Sequence, residues 1–324
     1  MKKALIVGIN HYDLISSLSG CVNDAYELKS VLDRHADGTK NFDVQLCTSS
    51  SNSEPLTRTQ LRQKIEQLFS GNADTAIFYF AGHGYLDSLG GYLCATDTAH
   101  GHDGLSLHDV ISISNSSNIR NRIIILDCCH SGIAASANAN NSISMLKEGT
   151  TILTASTATQ AAAENATGGV FTYLLIDALN GAAANLLGEI TPGSIYAHID
   201  QSLGPWQQRP VFKTNVDSFV SLRRALSPVT IDDLHKLTEF FPTSSYVYPL
   251  DPSFEPERSE GQESLPPPDE ANTMKFSILQ KLNRVNLVVP DDAPHMWHAA
   301  IESKGCRLTV LGEHYRRLVE QEHI

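Results

Sequence analysis

The sequence lacks the features of several protein classes. It contains no apolar run close to the roughly 20 residues that a membrane-spanning helix needs. Basic residues are not in excess, since 24 Lys and Arg stand against 36 Asp and Glu, for a formal charge of −12. A protein that binds nucleic acid or an anionic membrane usually carries the opposite balance. The composition therefore favours neither a membrane nor a nucleic acid as a partner.

Cysteine is also scarce. Six cysteines in 324 residues are too few for a disulfide scaffold, and no Cys-x-x-Cys pair indicates a structural zinc site. The N-terminus begins like a signal peptide, with two lysines, but its apolar stretch Ala4–Ile9 is short and is interrupted by Gly8. We interpret this stretch as a first buried strand, and we therefore expect a cytoplasmic protein with reduced thiols.

Short apolar runs alternate with amphipathic stretches over residues 1–225. The runs are Ala4–Ile9, Phe42–Cys47, Thr75–Ala81, Arg122–Asp127 and Thr150–Ala155. The stretches with apolar residues at helical spacing are Asn23–His35, Leu56–Phe69 and Ser106–Ile113. Thr57 and Gln60 stand at the positions of a helix-capping box. Strands and helices in alternation predict an α/β fold, a three-layer αβα sandwich around a mostly parallel sheet.

The composition changes after Ala225. Residues 226–272 are predicted to connect two domains, and the part over residues 242–272 is rich in proline and acidic residues, which predicts a solvated and mostly extended linker. Residues 273–324 predict a small α+β domain, and this part resembles a winged-helix unit. Because residues 226–324 carry 9 basic and 16 acidic residues, a net charge of −7, contact with phosphate groups is disfavoured. We expect this domain to dock a partner protein, with a purely stabilising role as the alternative.

Two of the apolar runs end in residues that can perform chemistry. The third is followed by Gly82-His83-Gly84, and the fourth by Cys128-Cys129-His130-Ser131-Gly132. The carboxyl ends of neighbouring parallel strands meet at one edge of a sheet, where such folds bind their ligands. A thiol at that edge needs a base or an imidazolium partner to become a thiolate at neutral pH. The sequence thus predicts a cysteine–histidine site, and the alternative for His83 is a histidine that merely ends a strand.

Six segments together resemble the caspase-like peptidase domain of the metacaspases. They are ALIVGIN, SLSGCVNDA, FYFAGHG, LDCCHSG, TASTATQAAAE and GGVFTYLLIDAL. The resemblance covers about residues 1–222 and implies a cysteine endopeptidase. The family's nucleophile directly precedes His-Ser-Gly, which makes it Cys129 here, and the base is His83. The implied oxyanion donors are the backbone N–H groups of Gly84 and Cys129, and Cys128 is then a small buried residue on the other side of the strand.

The resemblance also implies a pocket for a basic residue at P1, the substrate position before the cleaved bond. Asp24 and Asp127 match the two acids that metacaspases place in this pocket, and Cys21 and Ala81 match neighbouring positions. Two carboxylates take Arg or Lys, with Arg favoured by bidentate geometry. Ala81 stands where the family usually has Ser, so one pocket hydroxyl is missing. As alternative roles, Asp24 caps the helix that starts there and Asp127 binds backbone amides.

Many metacaspases are activated by Ca²⁺, for which this sequence offers few ligands. Asp97 matches one ligand position and Asp103 can supply a second, whereas Ca²⁺ takes six or more oxygens. We therefore expect no cofactor and no strong calcium dependence.

The wider role implied by the resemblance is that of bacterial relatives, which often act in stress or antiphage defence by cleaving an effector protein. The alternative is a catalytically idle scaffold that acts by binding other proteins. The presence of both His83 and Cys129 favours the enzyme.

Overall fold

The computed structural model describes residues 1–88, 90–128, 146–155, 164–165, 168–203, 209–258 and 261–324. They form two compact units, Met1–Leu226 and Ser227–Ile324. Within these ranges, no helix is both long enough and apolar enough to cross a membrane.

A six-stranded sheet forms the centre of the first unit. Its strands are β1 Lys2–Ile9, β2 Asp43–Ser49, β3 Thr75–Ala81, β4 Asn121–Asp127, β5 Thr150–Thr154 and β6 Val211–Asn215. Their order across the sheet is β6-β5-β4-β3-β1-β2. Neighbouring strands are parallel, except that β6 runs antiparallel to β5. The predicted mostly parallel sheet is confirmed.

Helices cover both faces of this sheet. Those described in the first unit are α1 Cys21–Leu32, α2 Arg58–Phe69, α3 Leu107–Ser116, α4 Val170–Asp177 and α5 Pro192–Ser202. Helices α1, α4 and α5 contribute to the core on one face, and α2 and α3 to the core on the other. The predicted three-layer αβα sandwich is therefore confirmed.

The start of α2 shows how local sequence sets an element's bounds. The Thr57 hydroxyl accepts a hydrogen bond from the Gln60 N–H at 3.3 Å, and the Gln60 side chain accepts one from the Thr57 N–H at 2.9 Å. The predicted capping box is confirmed, and such a cap contributes about 1 kcal/mol to helix stability. Because the N-cap residue is extended, the helix begins at Arg58 and not at Leu56.

Alternate side chains of each strand enter opposite cores. In β3, Tyr79 faces α1, α4 and α5, whereas Phe78 and Phe80 face α2 and α3. The same alternation reaches the end of β4, where Asp127 contacts α4 and Cys128 belongs to the core beneath α2 and α3, with 2% of its surface exposed. Cys128 is thus a buried core residue, as the sequence indicated.

The second unit is a small α+β domain. Its described elements are α6 Ile231–Phe240, β7 Tyr248–Pro249, α7 Glu270–Arg284, β8 Val288–Asp291, α8 Met296–Ile301, β9 Gly305–Leu308 and α9 Val310–Glu320. The three strands form an antiparallel sheet in the order β7-β9-β8. The resemblance to a winged helix stays a prediction.

Much of the predicted solvated connecting segment belongs to this second unit instead. Leu250 is buried, Tyr248 lies in the sheet, and the Phe254 ring packs edge-on against that of Phe276 in α7. The prediction of a solvated, extended linker over 242–272 is wrong at these positions. Proline content indicated extension, but the aromatic and aliphatic residues between the prolines bury against α7 and the sheet.

Candidate active site

The carboxyl ends of β1, β3 and β4 bring the predicted site residues to one edge of the sheet. Gly8, Ala81 and Asp127 lie side by side in register, and His83 follows β3 by two residues. The chain leaves β1 toward β2 on one side and returns to β3 on the other. Open α/β sheets bind ligands at such a reversal, so this edge is the candidate active site.

His83 is fixed at both its backbone and its ring. Its N–H donates to the Tyr12 hydroxyl at 2.7 Å, and its carbonyl accepts from the Cys94 N–H at 3.0 Å. The ring Nε2 lies 2.8 Å from the carbonyl oxygen of Ser16. Since a carbonyl oxygen can only accept, Nε2 carries the proton, which makes Nδ1 the ring nitrogen that can take a proton from a thiol. The side chain is partly exposed, so a substrate can reach it.

The predicted nucleophile, Cys129, lies outside the described residues. The strand geometry is described as far as Cys128, and the Gly82 N–H approaches the Asp127 carbonyl at 3.4 Å, so β3 and β4 still run side by side where they end. Of the two predicted oxyanion donors, Gly84 begins the short strand Gly84–Asp87, and the other is Cys129 itself.

The two predicted pocket acids lie next to each other and are both buried. Asp24 comes from the first turn of α1 and Asp127 from the end of β4, with exposures of 6% and 7%. Gly169, which precedes α4, lies between them, and its N–H donates to Oδ2 of Asp24 at 3.0 Å. A Cβ at position 169 would sit 2.5 Å from Oδ2 of Asp127. Glycine is therefore required here, because a larger residue would displace a carboxylate.

Asp24 does not occupy the N-cap position of α1, which is Gly20. Its carboxylate instead joins the helix to the distant turn before α4, through the hydrogen bond from Gly169. The helix-capping alternative for Asp24 is therefore wrong.

A buried hydrogen-bond chain holds the second acid. The Thr172 hydroxyl lies 2.6 Å from Oδ2 of Asp127 and 2.6 Å from the Tyr79 hydroxyl. Its single proton goes to the carboxylate, so the Tyr79 hydroxyl donates to Thr172. Burial, together with the charges of Asp127 and Asp24, raises the pKa of Tyr79 well above its usual value. The phenol therefore stays neutral and keeps its donor role at physiological pH.

Sequence reasoning missed Tyr79 and Thr172. Period-two alternation in β3 places Tyr79 on the same face as Ala81, and a polar residue in a continuous apolar strand was the signal that could have identified it. The remaining predicted pocket residues, Cys21 and Ala81, are both buried in this same core.

The two calcium candidates each bind a backbone group nearby. Asp97 accepts the Arg58 N–H at 2.9 Å at the start of α2. Asp103 accepts the His100 N–H at 2.8 Å, and this hydrogen bond lowers the pKa of Asp103. Across the part of the chain that the structure describes, no group of three or more His, Cys, Asp and Glu residues is placed to hold a metal ion. The expected lack of a strong calcium dependence remains a prediction.

The family follows from a match over most of the chain. A family model described as the caspase domain matches residues 1–224. The chain belongs to the caspase-domain family. This family match confirms the resemblance on which the site residues were assigned.

Curated proteins that resemble this caspase-domain chain are metacaspases. Metacaspase-6 of Arabidopsis thaliana is 28% identical over 145 residues, which cover 40% of this chain and 38% of that protein. Metacaspase-1 of Yarrowia lipolytica is 29% identical over 148 residues, which cover 41% and 32%. The chain therefore spans less than half the length of the curated relatives it matches.

Solved structures share the fold at low identity. Caspase-1 from Spodoptera frugiperda superimposes with a TM-score of 0.52 at 17% identity, over 70% of this chain and 91% of that chain. A protein from Geobacter sulfurreducens gives a TM-score of 0.50 at 17% identity, over 69% and 99%. These similarities show a common caspase fold and nothing finer.

Proposed function

We propose that this protein is a cysteine endopeptidase that cleaves peptide bonds after arginine or lysine. The observation that carries the proposal is the pair of buried carboxylates, Asp24 and Asp127, on either side of Gly169. They lie at the sheet edge from which His83 also projects. Two buried acids beside this edge are what a pocket for a basic P1 side chain needs.

The proposed reaction is acyl transfer through a thioester. Nδ1 of His83 takes the proton of Cys129, and the thiolate attacks the peptide carbonyl to form a C–S bond. The N–H groups of Gly84 and Cys129 stabilise the oxyanion. The imidazolium then protonates the leaving amine as the C–N bond breaks, and water hydrolyses the thioester with His83 as base. The bond from Nε2 to the Ser16 carbonyl supports this role, since it leaves Nδ1 for the proton transfer.

The charge of the pocket supports the choice of P1 residue. A guanidinium entering it meets two formal negative charges that are largely removed from water, where charge-assisted hydrogen bonds are strong. Arginine can bind both oxygens of a carboxylate at once, which lysine cannot. An acidic P1 residue would instead meet like charges.

The test is a set of fluorogenic peptides that differ only at P1, with Arg, Lys, Asp or Leu, and with Cys129→Ala as the inactive enzyme. We expect kcat/KM to be highest for Arg, lower for Lys and negligible for Asp. A preference for Asp or Leu would overturn the proposed basic specificity. It would not contradict the proposed cysteine peptidase mechanism, which the loss of activity in Cys129→Ala tests.

We further propose that the natural substrate is an effector protein cleaved in the cytoplasm during a stress or defence response. In this proposal the second unit docks a protein partner. Its net charge of −7 supports a protein over a nucleic acid, and α9 exposes Val310 at 84% and Leu311 beside it.

We expect the intact chain to be the active form. Ile133–Leu146 contains no Lys or Arg, so an enzyme with this specificity can cut there only after the next residue, Lys147. The Lys147 N–H donates to the side chain of Asn115 at 3.0 Å, and its Nζ donates to the Ser117 carbonyl at 2.9 Å. These bonds must break before that peptide can enter an active site, so folding protects the bond.

Mass spectrometry of the purified, active protein checks this expectation. The chain should be uncut, and Lys147→Gln should retain wild-type activity. An obligatory cut inside Ser136–Ser144 would contradict the expectation, as would loss of activity in Lys147→Gln.

A further inference from the structure

A buried tyrosine, Tyr12, contacts both the ring and the backbone of His83. The Tyr12 ring centroid lies 4.9 Å from that of the His83 ring, at an interplanar angle of 49°. The Tyr12 hydroxyl accepts the backbone N–H of His83 at 2.7 Å, and only 3% of the tyrosine is exposed. The contact therefore joins the loop after β1 directly to the histidine after β3.

Tyr12 is itself rigidly held. The N–H groups of the two residues before it both donate to the Ser49 carbonyl, at 2.9 and 3.2 Å. The Asp13 N–H donates to the Thr96 carbonyl at 3.0 Å. The backbone on either side of Tyr12 is thus anchored to two different segments, and this anchoring does not depend on His83.

Gly82 shows independently that the histidine segment is shaped around this hydroxyl. A Cβ at position 82 would lie 2.6 Å from the Tyr12 oxygen and 2.9 Å from the ring of Phe80. Any larger residue before His83 would therefore push against the hydroxyl. The glycine that precedes the histidine leaves the room that the hydrogen bond needs.

The hydroxyl acts as a neutral group. Burial raises the pKa of Tyr12, and the thiols of Cys21, Cys94 and Cys128 raise it further. The other titratable group that faces the phenol is the His83 imidazole, whose ring centroid lies 4.9 Å away. A neutral phenol adds no charge near the imidazole, so its effect on His83 is one of placement. The same loop supplies the Ser16 carbonyl, which accepts from Nε2 of the His83 ring. The Tyr12 hydroxyl thus holds the backbone of His83, and the Ser16 carbonyl holds its ring.

We propose that Tyr12 is a positioning residue for His83, whose hydroxyl holds the histidine backbone so that Nδ1 faces the nucleophile. This inference rests on the proposed role of His83 as the base. Without the hydroxyl, the His83 N–H loses its acceptor, and the segment can shift to find another. The thiolate–imidazolium pair then forms less completely, whereas the acids of the P1 pocket, held by other contacts, still bind substrate.

The test compares Tyr12→Phe with wild type in the full chain. Removing this hydroxyl should lower kcat on the Arg peptide by about 10-fold or more and change KM by less than about 2-fold. The rate at which iodoacetamide alkylates Cys129 should also be measured against pH. In Tyr12→Phe, the pH at the midpoint of this alkylation profile should move upward, toward the pKa of about 8.5 for a free cysteine. Wild-type kcat together with a wild-type midpoint would overturn the proposal.

A matched control is Tyr79→Phe, which removes another buried tyrosine hydroxyl, the one that donates to Thr172. It should raise KM for the Arg peptide and leave the alkylation midpoint in place. If it moves the midpoint as far as Tyr12→Phe does, the effect is general to buried hydroxyls and the proposal fails.

A second variant keeps the proposal testable if Tyr12→Phe does not fold. Gly82→Ala places a Cβ 2.6 Å from the same hydroxyl oxygen. It should therefore displace the hydroxyl or His83 and shift the alkylation midpoint in the same direction. Where Tyr12→Phe does fold, the double variant adds a further check: the missing hydroxyl relieves part of this clash, so the two losses should be less than additive. Full additivity would count against the proposal. Because alkylation needs no peptide substrate, the midpoint still tests Tyr12 if none of the peptides is cleaved and the proposed function fails.

Discussion

Cys129→Ala is expected to abolish hydrolysis of the Arg peptide, with a loss in kcat of at least about 1,000-fold, while Cys128→Ala retains most of the activity. The structure gives the reason for the second half, because Cys128 lies in the core beneath α2 and α3, on the opposite side of β4 from Asp127. Removing its sulfur leaves a small cavity, which costs stability and not chemistry. The measurement is kcat/KM for both variants, compared at matched folded fractions.

Each of these two variants is the control for the other, since each removes a single thiol and the two positions are adjacent. A stably folded Cys128→Ala protein without activity, next to an active Cys129→Ala protein, would show that the assignment of the nucleophile is one residue out of register.

Asp24→Asn is expected to lower kcat/KM for Arg substrates by roughly 30-fold or more. Asparagine has the shape of aspartate and keeps an oxygen that can accept the Gly169 N–H, so the fold should survive while one of the two pocket charges is lost. The Leu peptide, which gains nothing from that charge, should be hydrolysed as slowly as before. Kinetics on matched Arg and Leu peptides provide the measurement.

Asp33→Asn is the matched control for this experiment. It removes the same charge from the exposed end of the same helix, where Asp33 is the C-cap residue and pairs with Lys40 at 2.6 Å. It should change kcat/KM by less than about 2-fold. Thr172→Val, which removes the hydroxyl that binds Asp127, should give an intermediate loss. Equal losses in Asp24→Asn and Asp33→Asn would mean that overall charge, and not the pocket, attracts the substrate.

The central sheet could be predicted from the sequence because its strands are continuous apolar runs. The third run, Thr75–Ala81, has the same bounds in the structure, and the position of His83 beyond it followed from strand order alone. The proximity of Asp24 to Asp127 needed the family resemblance, because no local pattern connects a helix's first turn to a distant strand end. Within the described residues, the structure brings these two acids together through Gly169.

Other features could not be predicted for a similar reason. The contacts of Tyr12 with His83 and of Thr172 with Asp127 join segments far apart in the chain, and such bonds leave no periodic signal. The region around Leu250 and Phe254 was misjudged because composition averages over a segment. A few buried side chains among prolines are enough to fold it into a domain.

The position of Gly169 and Thr172 in the chain has a consequence for biosynthesis. Both residues are translated after His83 and Cys129, and both contact the pocket acids. A nascent chain that ends before α4 contains the proposed nucleophile and its proposed base, but lacks the contacts that hold Asp24 and Asp127 in place. If the proposed function holds, the order of synthesis delays substrate recognition until α4 has emerged and docked, and a ribosome-bound fragment carries the proposed nucleophile before the proposed P1 pocket has formed.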